Sequence, residues 1–173
     1  MHVLVAIDDS PQSQTCIREI ATRPWPEGTE LRVLSVTGLH PGAPLPALGL
    51  PAATPMHTPP PGRVSLEQYA HVMEHARSVA QAAAVALART GLFVHVRVRE
   101  GMPATQIVVE ASEWPADLIV LGTRDRGRFK RLLLGSVSSY VAKQAPCSVE
   151  VIRAPRLFGM RNQPGTLPES RQR

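Results

Sequence analysis

The chain has 173 residues, 43% of them hydrophobic, which is enough for one domain with a sizeable core. No apolar run approaches the 18 residues of a membrane span, and the first residues, MHVLVAIDDS, enter a strand pattern directly, with no recognisable signal peptide. The net charge of +5 is uneven: five arginines and one acid lie from Arg153 onward, which leaves the remainder close to neutral. With aromatic residues at only 4%, this distribution argues against specific nucleic-acid binding. Cys16 and Cys147 stand in no metal or redox spacing and read as small hydrophobes in a reducing cytoplasm.

In chain order, His2 to Ile7 is a short apolar strand closed by Asp8-Asp9-Ser10-Pro11. Asp9 or Ser10 can cap the helix that follows, with Pro11 in its first position and an end near Ala21. Leu31–Val36 is a second strand. Ser65-Leu66-Glu67-Gln68 forms a capping box, and Gly91 supplies the stop for a long helix. On that helix Leu66, Tyr69, Met73, Ala76, Ala80, Ala83 and Leu87 recur at spacings of three and four, as one apolar face. Leu92–Val98 alternates, with Phe93, His95 and Arg97 opposite the aliphatic residues. A helix from Ala104 to Glu113 precedes Asp117–Gly122, a strand apolar enough to be buried on both faces. A last helix, Ser136 to Lys143, leads to Cys147–Arg153. The alternation there exposes Ser148, Glu150 and Ile152 together and marks an edge strand with one partly polar face.

Strand and helix alternate four times before a final strand, so the fold class is α/β with a five-stranded, parallel, doubly wound sheet. Ligands of such sheets bind beyond the carboxyl ends of the strands, where strand order reverses. That rule selects Asp8, Asp9, Ser10, Val36, Thr37 and the stretch from Gly122 onward. Residues 1–153 read as one domain, and two segments do not belong to its core. Residues 37–63 hold eight of the 17 prolines and read as a long insertion, low in complexity rather than a lid. Residues 154–173 have the composition of a disordered basic tail.

The stretch LGTRDRGRFKRLLLGS, Leu121 to Ser136, joins a buried strand to a helix start. Backbone N–H groups at a helix N-terminus attract anions, and Ser136 adds a hydroxyl. Gly122 and Gly135 let a ligand come close to the backbone. Taken singly, Gly122 is equally a turn residue and Ser136 an ordinary cap; their pairing with Asp8 on a neighbouring strand points to a site.

With VAIDDS, the SV of the second strand, LIVLGTRD, RLLLGSVSSYV and APCSVEVI, this stretch resembles the universal stress protein family. Its signature, G-x2-G-x9-G-[ST], belongs to the members that bind ATP. The resemblance implies strand order 3-2-1-4-5, a homodimer paired through the last strand, and ATP between the first and fourth strands. It assigns adenine to Ala6, Asp8 and Val36, ribose to Leu121 and Gly122, and phosphates to Gly135, Ser136 and Val137. It also implies a regulator read by a protein partner, with at most slow ATP hydrolysis or self-phosphorylation on Ser136, Ser138 or Ser139. The family also contains members that bind no nucleotide and act by protein interaction. One departure bears on this choice: Asp125 stands at the second glycine of the signature. Asp tolerates a left-handed backbone better than most residues, but a carboxylate aimed at phosphate repels it. Arg124, Arg126, Arg128, Lys130 and Arg131 can neutralise it, or it can help to hold Mg²⁺ with the phosphates.

Other motifs lead nowhere comparable. His71-Val72-Met73-Glu74-His75 matches an inverted zinc-protease pattern, yet its histidines point away from the helix's apolar face. The Asp8-Asp9 pair suits a phospho-receiver domain, but the expected Asp and Lys of later strands are Arg99-Glu100 and Arg153. No G-x-G-x-x-G or P-loop lysine follows the first strand. The histidines at 2, 40, 57, 71, 75 and 95 form no Ser-His-Asp or Cys-His constellation at the strand ends.

Overall fold

The computed structural model describes residues 1–38, 64–123 and 135–153. Five strands form one sheet: β1 (His2–Ile7), β2 (Glu30–Thr37), β3 (Phe93–Glu100), β4 (Leu118–Gly122) and β5 (Ser148–Ile152). All four pairings are parallel and the order is β3-β2-β1-β4-β5. The crossovers are α1 (Pro11–Thr22), α2 (Leu66–Ala88), α3 (Pro103–Glu113) and α4 (Ser136–Gln144).

The sequence pattern of β1 explains its place at the centre. Val3, Leu4 and Val5 are fully buried, which requires cover on both faces. Val3, Val5 and Ile7 pack with Cys16 and Ile20 of α1 and Ala80, Ala83 and Leu87 of α2. Leu4 and Ala6 pack on the opposite side with Ile107 and Ala111 of α3 and Val141 of α4. Each large aliphatic side chain buried in this way contributes roughly 2 kcal/mol. Burial pushes the Cys16 thiol up to about 12, in keeping with a core residue.

Local signals set the helix starts. Ser10 caps α1, accepting from the Ser13 N–H, and Pro11 occupies the first turn. Both bonds of the capping box are made on α2, between Ser65 and Gln68. Two expectations are corrected. Leu66 is 75% exposed, because α2 reaches the strand ends only from Tyr69 and Met73 onward, with Ala76 its first buried residue. Ile152 is buried with Val3 and Cys16, not exposed beside Ser148 and Glu150. The reason is α1, which lies over that face of β5: Arg23, at its C-terminal end, makes two 2.6 Å hydrogen bonds to the Glu150 carboxylate. That partner holds the Glu150 carboxyl below the usual carboxylate range.

From β1 the chain winds outward to β2 and β3, then returns to β4 on the other side of β1. The β1/β4 junction is therefore where strand order reverses, and a crevice opens there at the carboxyl ends.

Candidate functional site

That crevice is a cleft of about 480 Å³, within the range of small-molecule sites. Its floor is the end of β1, Ala6 to Asp8, with Leu121 and Gly122 of β4. One wall is apolar: Leu34 and Val36 of β2 face Pro103 and Ile107 of α3. The other wall is polar: Ser10, Gln12 and Ser13 at the start of α1, and Gly135 to Ser138 at the start of α4.

Of the nine residues that the resemblance ties to the nucleotide and its metal, eight line this one cleft: Ala6, Asp8, Val36, Leu121, Gly122, Gly135, Ser136 and Val137; Asp9 and Thr37, also selected by the strand-end rule, do not. The ninth, Asp125, lies outside the described residues, as do the five basic side chains around it, most of the 37–63 insertion and the 154–173 tail.

Asp8 is oriented by the first turn of α1. Ser13 Oγ donates to Asp8 Oδ1 at 2.7 Å, and Ser10 Oγ donates to the same oxygen. The backbone N–H of Asp8 donates in turn to Ser13 Oγ at 2.9 Å. Ser13 is only 4% exposed, so strand end and helix start form one hydrogen-bonded unit. Sequence reasoning missed Ser13. The available signal was its place three residues after the cap Ser10, where a short hydroxyl side chain can reach back to the preceding strand.

Neither Gly122 nor Gly135 has a left-handed backbone. Gly122 is demanded by packing: a Cβ there would lie 3.2 Å from Gln12 Cβ and 3.3 Å from the backbone carbonyl of Gln12. The close approach is therefore to α1, a reading the sequence did not offer. Gly135 is the N-cap of α4 and, having no side chain, leaves the first-turn N–H groups without a side-chain cap. Ser138 turns its hydroxyl back to the Gly135 carbonyl at 3.1 Å. The cleft thus has an apolar slot at one end and the N-terminus of α4, without a side-chain cap among the described residues, at the other, with an oriented carboxylate between the strands and α1. That arrangement suits a ligand with a flat, weakly polar body and an anionic end.

The zinc-like motif is on α2, and none of its residues lines the cleft. His75 places Nε2 3.1 Å from Asp9 Oδ2, with both side chains more than half exposed. Among the described residues no group of three or more His, Cys, Asp or Glu side chains could hold a metal ion. No described helix is long and apolar enough to cross a membrane.

Residues 1–153 match the model of the universal stress protein family. A universal stress protein of Mycobacterium tuberculosis is 32% identical over 158 residues, covering 88% of this chain and 47% of the relative. The chain spans less than half the length of the curated relatives it matches. Among solved structures, the universal stress protein from Archaeoglobus fulgidus in complex with dAMP is similar at a TM-score of 0.56 and 22% identity, covering 87% of this chain and 96% of that one. An Arabidopsis thaliana family protein with AMP bound gives a TM-score of 0.51 at 17% identity, covering 90% and 93%. The sheet order, the placement of the helices and the match across residues 1–153 lead to one assignment: the chain belongs to the universal stress protein family.

Proposed function

We propose that this chain is an adenine-nucleotide-binding universal stress protein that takes ATP and acts as a homodimeric regulator read by a protein partner. The observation that carries the reading is that eight residues, which the family resemblance assigns to the nucleotide and which are scattered from Ala6 to Val137, line one cleft with an apolar slot and a helix N-terminus. Adenine fits between Val36 and Ile107, with the Asp8 carboxylate as acceptor for a base amino group. Ribose then lies over Leu121 and Gly122, and the phosphates meet the N–H groups at Ser136 and Val137. The relatives solved with dAMP and AMP support an adenine nucleotide. ATP and Mg²⁺ extend that reading. Dimerisation through β5 is supported by its place at the end of the sheet, where its outer edge has no strand beside it among the described residues.

Calorimetric titration with ATP and Mg²⁺, run beside AMP, tests the reading. Micromolar binding, about −8 kcal/mol, that is lost in Gly135→Asp supports it. Binding that appears only in Asp125→Gly would make the site a disabled one and would favour the second reading, a family member acting by protein interaction alone.

A further inference from the structure

The other end strand, β3, carries a second surface, independent of the nucleotide cleft. On the face shared with α3, Phe93 is 74% exposed, and the His95 and Arg97 side chains are each more than half exposed. The outer backbone edge of β3 has no strand beside it among the described residues. Its eight residues, FVHVRVRE, contain no proline to block pairing.

Beside this edge lies a hollow of about 290 Å³ lined by Arg32, His95, Arg97, Arg99, Glu110 and Glu113. Its charges do not balance, since three guanidinium groups meet two carboxylates. Glu110 accepts from Arg32 at 2.7 Å and from Arg99, and Arg99 reaches Glu113 as well. Arg97 is left over. Among the described residues its single charge contact, Nε to Glu110 Oε2, is 3.6 Å long, beyond hydrogen-bond reach, and that oxygen already accepts from Arg99. A half-exposed guanidinium with an unused fork of donors is matched by a carboxylate, which it can take in two parallel hydrogen bonds.

The positive row also selects between strands. A second copy of β3 would bring arginine towards arginine, an unfavourable cross-strand pair, whereas an acidic strand reverses the sign of that term. We propose that the free edge of β3 is a docking site for an extended, acidic segment of a partner protein, which adds as a sixth strand and sets a carboxylate against Arg97. Main-chain hydrogen bonds supply the attachment, and the hollow supplies the preference for acid.

The test uses the full chain and a fluorescently labelled peptide of sequence TEVEVET, followed by anisotropy. The peptide should bind, and Arg97→Gln should weaken binding about tenfold. On the wild-type protein, the matched TQVQVQT peptide should be weaker by a similar factor, which keeps the test intact should the variant fold poorly. N-methylation of alternate peptide nitrogens should abolish binding, as strand addition requires. Equal binding of the glutamine peptide, indifference to Arg97→Gln, unchanged binding of the N-methylated peptide, or no binding would each overturn the proposal. Displacement of the peptide by single-stranded DNA at lower concentration than by unlabelled peptide would also overturn it, in favour of a general anion surface.

Discussion

Asp8 and Glu110 are both acids set among packed elements, and their surroundings differ in kind. Glu110 is 1% exposed and its two oxygens are occupied by guanidinium groups from β2 and β3. It fastens α3 to the sheet. Asp8 lies at the floor of the cleft, oriented by the hydroxyls of Ser10 and Ser13. Charge neutralisation by arginine suits a joint, since the acid and its partners satisfy one another. Orientation by hydroxyls fixes the direction of a carboxylate that lines the cleft. The acid buried in helix α3 and the acid at the end of strand β1 therefore fail in different ways when disturbed.

Removal of Glu110 should be the more damaging change. Glu110→Ala leaves Arg32 and Arg99 facing each other in a partly covered site and should cost about 3 kcal/mol, read from urea unfolding. A loss below about 1 kcal/mol would mean that α3 is held by Ile107 and Ala111 alone, and the distinction between the two acids would collapse. The same joint should respond to acid. Burial alone pushes the Glu110 carboxyl up, but hydrogen bonds from Arg32 and Arg99, with their charges, outweigh it and hold the group below its ordinary range. A carboxyl lowered on folding contributes stability that is fully present above its unfolded pKa and is lost as pH falls through its folded one. The stability gap between the wild type and Glu110→Gln should therefore be constant near neutrality. It should shrink once pH drops below the usual glutamate range, as chemical denaturation across that range would show. A gap independent of pH would remove ionisation from the account of the joint.

Gly122→Ala is expected to rank next, because it disturbs the cleft through backbone contact. The added Cβ meets the Gln12 backbone at 3.3 Å, so the first turn of α1 must shift by a few tenths of an ångström, at about 1–2 kcal/mol. Ser10 and Ser13 ride on that turn, and nucleotide affinity should fall with stability. Unchanged stability would show that α1 yields freely, and the rigid orientation of Asp8 would lose its support.

Much of this was legible from local pattern. Residues 3–7 of β1 and the whole of β4 are apolar at every position because both faces are covered, and Ser65 with Gln68 announces a helix start whatever the tertiary context. The cleft followed from topology, since alternating elements and the reversal of strand order leave one crevice at the strand ends. What escaped was long-range. The burial of Ile152 depends on α1 crossing β5, and the exposure of Leu66 depends on where the sheet ends beneath α2; neither is written in the local period. Glu110 is an intermediate case. An acid on the stripe of Ile107 and Ala111, with arginines at 97 and 99 on one strand face, was a visible sign of a buried joint. Arg32, 78 residues before Glu110, was not.

The smallest change gives the sharpest reading of Asp8. Ser13→Ala removes the hydroxyl that donates to Oδ1 and accepts from the Asp8 N–H, yet Ser10 still donates to the same oxygen. Stability should fall by about 1 kcal/mol, the usual net worth of such bonds, and less than in Gly122→Ala. Affinity for ATP should fall severalfold, because the carboxylate keeps its charge but not its direction. AMP, which carries the same base, should lose the same factor. Comparison of the two ligands separates orientation at the base from effects at the phosphate end of the cleft. A larger loss for ATP than for AMP would place Asp8 in service of the phosphates or their metal, and the base would need another partner. An unchanged affinity for both, with the stability loss intact, would make the hydroxyl pair a second structural joint, different from Glu110 only in strength.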